Sequence, residues 1–233
     1  MFKQAFYFLE GLKLRRFERV LKHANHILAI SKKDEEYLVK KFSNTSFVSA
    51  FHSNEDVSSI AGKGRFILMH ANLEVEENEA AVLHCIRNIF KGLDFPVIIA
   101  GKDPGDVIKK EISLHPNLIL VENPDDAEMS RLQHDAHIHF CYTFQATGLK
   151  LKLLNSLFMG RFVVANPKML EGSGLDELCI TGNTDAELNE ILVSLKTKSL
   201  IEQDIKKRRL VLQRFSNQEN ASKILKLLSL KKK

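Results

Sequence analysis

From residue 26 onward, short apolar runs alternate with segments in which apolar residues recur every three or four positions. Residues 26–30 (HILAI) read as a buried strand, and Ser31 is placed to cap a helix over 32–42 by accepting a free backbone N–H. Residues 47–50 read as a further strand, followed by a polar stretch to Gly64. Paired elements then follow. A strand at 66–70 precedes a helix over 76–90, one at 97–100 a helix over 106–114, and one at 118–121 a shorter helix over 126–133. The run 136–141 precedes a helix that starts at Gly148. The run 162–165 leads to a glycine-rich loop, a short strand at 178–180 and helices to the end.

Short strands alternating with amphipathic helices predict an α/β fold: a parallel sheet with both faces covered. Ligands of such sheets bind beyond the carboxyl ends of the strands. That rule singles out the loops 70–73, 101–105, 122–125, 142–148 and 166–174. The first residues fit less well, because 2–23 reads as one amphipathic helix with no strand before it. The expected organisation is a remnant of a preceding domain with its linker over 1–52, a complete sheet domain over 53–200, and C-terminal helices over 201–233. The polar stretch 53–64 is the expected hinge.

Composition narrows the class without changing this picture. An apolar fraction of 44% and a charged fraction of 27% suit a globular protein able to bury a large core. No apolar run approaches the roughly 18 residues of a membrane span, and the start lacks a secretory signal pattern. Cys85, Cys141 and Cys179 are far apart and sit in apparent core segments, as expected of buried thiols in a reducing cytoplasm. The net charge is +5, with basic residues gathered at both ends, including Lys13 to Lys22 and Lys206 to Arg209. Such clusters suit solvated helix faces or peripheral contact with the inner membrane surface. Nucleic acid is not expected, because no recognition motif accompanies them.

The densest candidate chemistry lies in TGLKLKLLNSLFMGRFVVAN, from Thr147 to Asn166. A turn feeding a helix N-terminus beside a parallel strand offers free N–H groups and a favourable dipole to an anion. On that helix Gly148, Lys152, Asn155 and Ser156 fall in one polar stripe, which also fits an ordinary wet face. Lys150 sits inside the apolar arc, so it either snorkels or points at something anionic near the helix start. A diphosphate would satisfy Lys150 together with the N–H groups of Gly148 and Leu149. In IIAGKDP, Gly101 lets a ligand approach and Lys102 adds a positive charge at the sheet mouth. Asn72, ending the first strand of the sheet, is placed either to donate to a phosphate or sugar oxygen or to make a turn. His134, His137 and His139 are close in sequence, yet they read as packed or surface histidines rather than metal ligands. There is no P-loop, no G-x-G-x-x-G and no G-x-S-x-G.

The order of these loops resembles the C-terminal, donor-binding half of GT-B-fold glycosyltransferases. FILMHANLEVEENEAAVLHCIRNIF, PVIIAGKDP and NLILVENPDDAEMSRLQHDAHIHF are similar to its successive βα units, and the 147–166 segment to its donor loop. The pattern is especially like a Bacteroidetes-type group labelled mannosyltransferase, and HANHILAISKKDEEYL resembles the end of the N-terminal Rossmann-like domain. The resemblance implies a Rossmann-like sheet that binds a UDP- or GDP-sugar through Thr147, Gly148, Lys150, Asn155, Lys102, Gly101 and Asn72. The 122–125 loop would lie beside the base. The implied chemistry is hexosyl transfer to a polysaccharide or lipid-linked acceptor in the cytoplasm. Helix N–H groups and cations would stabilise the leaving nucleoside diphosphate, with no obligatory metal.

Five positions depart from the family's common pattern. Thr147 and Asn155 stand where a pair of glutamates is usual, Asn72 and Glu77 where an arginine and a lysine are usual, and Ala71 replaces a glycine. An asparagine accepts one hydrogen bond and donates another where a glutamate accepts two. Donor recognition is therefore expected to differ, with Lys150 as the compensating charge. In this family the acceptor and commonly a catalytic side chain come from the N-terminal domain, which implies a separate or missing domain as partner. The rival expectations are a non-catalytic nucleotide-sugar-binding or assembly module and a nucleotide-sugar epimerase.

Overall fold

The computed structural model describes residues 2–145 and 151–229. Thr147, Gly148 and Lys150, on which the diphosphate expectation leans, lie outside the described residues. The chain divides into two compact units, one of residues 1–49 with 221–233 and the other of residues 50–220.

In the first unit, helix α1 (Phe2–Phe17) passes into a 3-10 turn (Glu18–His23) rather than running on as one helix. Its apolar side chains do not gather on one stripe. Consecutive Phe6, Tyr7, Phe8 and Leu9 are all exposed, so the amphipathic expectation fails here. Strand β1 (Ile27–Ala29) pairs in parallel with β2 (Thr45–Phe47), which begins two residues before the expected strand. Between them Ser31 caps helix α2 (Lys32–Val39) by accepting the Asp34 N–H at 3.0 Å.

The second unit holds a six-stranded parallel sheet. Its strands are β3 (Ile67–Asn72), β4 (Val97–Lys102), β5 (Leu118–Glu122), β6 (Ile138–Cys141), β7 (Phe162–Ala165) and β8 (Ile180–Thr181). The spatial order is β5-β4-β3-β6-β7-β8, every neighbouring pair parallel. Helices α3 (Glu76–Asn88), α4 (Asp106–Ser113), α5 (Asp126–Asp135) and α6 (Leu151–Met159) follow the successive strands. Short α7 (Pro167–Leu170) replaces part of the expected glycine-rich loop, because Asn166 caps it and proline at the first helical position needs no N–H partner. Helices α8 (Asp185–Leu195), α9 (Glu202–Leu212) and α10 (Asn217–Ser229) complete the chain.

The sheet is buried on both faces, which is why its strands read as nearly unbroken apolar runs. Ile67, Met69, Val97, Ile99, Ile138 and Phe140 share a core with α3 and α8 residues such as Val82, Ile86 and Leu192. On the other face Phe66, Leu68, Ile98 and Ala100 pack against Leu132 and Ala136. This is an α/β, Rossmann-like domain, as the alternation predicts.

Candidate functional site

The strand order reverses between β3 and β6, since β4 and β5 extend the sheet one way and β6, β7 and β8 the other. In a doubly wound sheet, the crevice beyond the carboxyl ends at such a switch point is where ligands bind. Strand periodicity determines what faces it. His70 lies two residues beyond Leu68 and Cys141 two beyond His139, so each pair shares a sheet face. Helix α6 covers that face. Ser156 of α6 lies 3.2 Å from His139 Nδ1 and 3.6 Å from the Cys141 thiol.

Lys152 is one helical turn before Ser156, and helix side chains lean toward the N-terminus. Its stem therefore leans toward the carboxyl ends of the strands. There its ammonium is within electrostatic reach of Cys141, Glu77 and Cys85, and it depresses His70 in turn. Burial holds the Lys152 pKa below the ordinary lysine value. It makes no hydrogen bond or ion pair with the described residues. The polar stripe of this helix is thus no wet face: Ser156 is buried, whereas the apolar Leu151 is 42% exposed. His70 Nε2 is also sealed from solvent without a partner. Desolvation, then Lys152 and His139, lower the His70 pKa to about 3.

On the α3 side of the crevice, Glu77 in the first helical turn accepts a bond from Thr143 Oγ1 at 3.0 Å. Asn166, after β7, fixes that loop by accepting from Thr143 N–H at 3.2 Å and donating to its carbonyl at 2.8 Å. The ends of two strands and the starts of two helices are so tied around one space.

The residues expected from the sequence distribute unevenly about it. Asn72 and Lys102 face each other in register at the ends of β3 and β4. Asn72 Oδ1 accepts the Glu74 N–H at 3.2 Å, making the turn reading real, and its Nδ2 has no partner among the described residues. Lys102 is exposed and sits 3.7 Å from Asp103. Asn155 accepts from Asn54 Nδ2 at 2.8 Å, which ties α6 to the polar stretch before the sheet. Gly101 is buried, and what approaches it is protein: a Cβ there would stand 2.0 Å from the Ala71 carbonyl oxygen and 2.8 Å from Leu73 Cγ. Gly101→Ala is therefore expected to part β3 from β4 and cost about 1–3 kcal/mol of stability. Urea unfolding measures it, and an unchanged midpoint would contradict the packing.

The histidines fill structural roles. His137 Nδ1 accepts from Gly64 N–H at 3.0 Å while Nε2 meets the Leu195 carbonyl at 2.8 Å. His139 Nε2 meets the Gln133 carbonyl at 2.8 Å. No metal-holding cluster of acidic, histidine and cysteine side chains occurs among the described residues. A separate cavity of about 640 Å³ adjoins Phe158 at the far end of α6. Its charged lining of Glu55, Asp56, Lys206 and Arg209 is exposed and of both signs. It lacks the buried, unpartnered groups that make the switch-point crevice the candidate site. Sequence reasoning missed His70 and undervalued Lys152, although the alternation Phe66, Leu68, His70 already placed the imidazole inside.

No family model and no curated protein matches the sequence. Solved structures do match its fold. TarM superposes with a TM-score of 0.69 at 13% identity, covering 91% of this chain and 45% of TarM. A glycosyltransferase from Rickettsia africae gives 0.66 at 13% identity, covering 94% of this chain and 68% of that one. Anabaena Alr3699/HepE, solved with UDP and glucose, gives 0.63 at 14% identity, covering 93% and 66% respectively. The chain thus spans from under half to about two thirds of the length of these structures. Over most of its own length it is similar in fold to GT-B glycosyltransferases, and its six-stranded sheet is a Rossmann-like domain of that fold.

Proposed function

We propose that this chain is the donor-binding half of a glycosyltransferase, taking a UDP- or GDP-linked hexose at the β3/β6 crevice for transfer to a polysaccharide or lipid-linked acceptor. The observation that carries the reading is a half-buried cation, without a partner among the described residues, at the switch point of a sheet shared in fold with glycosyltransferases. One of these, HepE, holds UDP and glucose. Lys102 and Asn72 at the adjoining strand ends supply a further cation and a free amide donor. Departure of a nucleoside diphosphate develops negative charge, which such groups would stabilise. Thr147, Gly148 and Lys150 belong to the same proposed site by sequence. A mannosyl donor is the finer proposal.

A second reading has its own support. Glu77 stands where the family's usual cation would be, and Asn155 is bonded to Asn54. Both favour a binding or assembly module that no longer transfers sugar. Calorimetric titration with UDP, GDP, ADP and CDP tests the shared part. Saturable binding of UDP or GDP is expected, and no binding of any at millimolar concentration would sink both readings. Donor hydrolysis, assayed with the chain alone and with a complementing acceptor-binding domain, separates enzyme from module.

A further inference from the structure

We propose that Lys152 is the residue that receives the diphosphate of the incoming nucleotide, with His70 as its neutral neighbour. The charge that Glu77 denies to α3 would thereby be supplied from α6. This rests on the donor-site reading and names the group that carries it. An ammonium carries three donors and no acceptor, so its burial is costly unless something accepts. Among the described residues nothing does. The nearest carboxylate, Glu77, already has Oε1 engaged by Thr143. Beside the half-buried Lys152, His70 Nε2 is sealed from solvent without a partner among the described residues. With its hydrogen on Nε2, a neutral imidazole donates one bond.

A half-buried cation and a sealed neutral imidazole, neither with a partner among the described residues, converge where the sheet opens. The occupant that satisfies both is anionic and rich in acceptor oxygens. A diphosphate meets that description, whereas a neutral sugar leaves the ammonium uncompensated. The site is held open from beneath, since Ser156 anchors the same face of α6 to His139 and Cys141. Lys152 is thus stored at some cost to the ligand-free fold.

The proposal has a two-signed test with Lys152→Met, which keeps the length of the stem and removes the charge. The melting temperature of the ligand-free protein is expected to rise by about 2–4 °C. Calorimetric affinity for UDP, GDP and inorganic pyrophosphate is expected to fall about ten- to a hundredfold. Lys152→Arg, which keeps a cation, is expected to retain most of the affinity. Uridine and guanosine, lacking phosphate, are expected to lose no further affinity in either variant. If the wild type binds nucleoside diphosphates and Lys152→Met binds them equally, the assignment is overturned while the donor-site reading stands. A lower melting temperature in Lys152→Met overturns the claim that the charge is held at a cost. If the wild type binds neither nucleotide nor pyrophosphate, the donor-site reading falls and takes this assignment with it.

Discussion

Acidification from about pH 6.5 to about pH 5 is expected to lower stability by up to about 1.4 kcal/mol per pH unit for each histidine that the fold keeps neutral. His139 and His70 carry the effect. Burial lowers the first to about 4, although its bond to the Gln133 carbonyl works the other way. It lowers the second to about 3, helped by the Lys152 charge. His137 shifts in the same direction, again chiefly by desolvation. The sign follows from where the protons bind. In the unfolded chain these imidazoles protonate near 6.5, whereas in the fold they stay neutral well below that. Below about pH 6.5 the unfolded state therefore binds more protons, and acid draws the equilibrium toward it. The stabilisation is complete above that pH and is lost as pH falls toward the folded values.

Two such histidines amount to at most about 4 kcal/mol between pH 6.5 and 5, a large share of a typical stability of about 5–15 kcal/mol. Carboxylates with lowered values, such as Asp94 beside Lys196 and Glu111 beside Arg87, titrate below this window and do not mimic it. Urea midpoints across the window measure the effect. His139→Gln should flatten the slope, and a midpoint independent of pH would show that the imidazoles are not held neutral.

Replacing Arg208 by methionine is expected to cost about 3–5 kcal/mol. This arginine of α9 is 5% exposed and has no carboxylate partner among the described residues. Its guanidinium donates instead to Ser59 Oγ at 2.7 Å, to the Leu157 carbonyl at 3.3 Å, to the Arg161 carbonyl at 2.5 Å and to the Gly160 carbonyl. The carbonyls at the end of α6 have no helical partner and form the negative pole of its dipole. One cation thus neutralises a helix end and satisfies several buried acceptors. Burial pulls its pKa down to about 10, so the charge persists at neutral pH. Lysine would restore the charge without the planar fork, and Arg208→Lys should recover less than half of the loss. Thermal unfolding measures both variants. A methionine variant within about 2 °C of wild type would mean that water replaces the guanidinium.

These expectations show how unevenly the chain could be read. Apolar alternation placed β3, β4, β6 and β7 within a residue or two, because strands buried on both faces must be apolar throughout. Ser31 announced its helix start, since a short polar side chain there accepts an otherwise unpaired N–H. Helix α1 was misread because consecutive Phe6, Tyr7, Phe8 and Leu9 spread its apolar surface around the helix and leave no single face to bury. For Gly101 the need for glycine was legible, while its cause, the Ala71 carbonyl on the neighbouring strand, was not.

By itself, then, the sequence determined the α/β class, the succession of strands and helices, and the end of the sheet at which a ligand would sit. These follow from local periodicity and capping, which act over a few residues. Only the tertiary structure decided which strands adjoin, and so that the crevice opens between β3 and β6. It also decided that Lys152 is half-buried rather than fully wet, and that His70 and Glu77 are its company. Burial is a property of what packs against a residue from elsewhere in the chain, and a helix's own polar stripe does not encode its partner. The desolvation that makes Lys152 and His70 unusual therefore arose only when α6 was laid across the sheet.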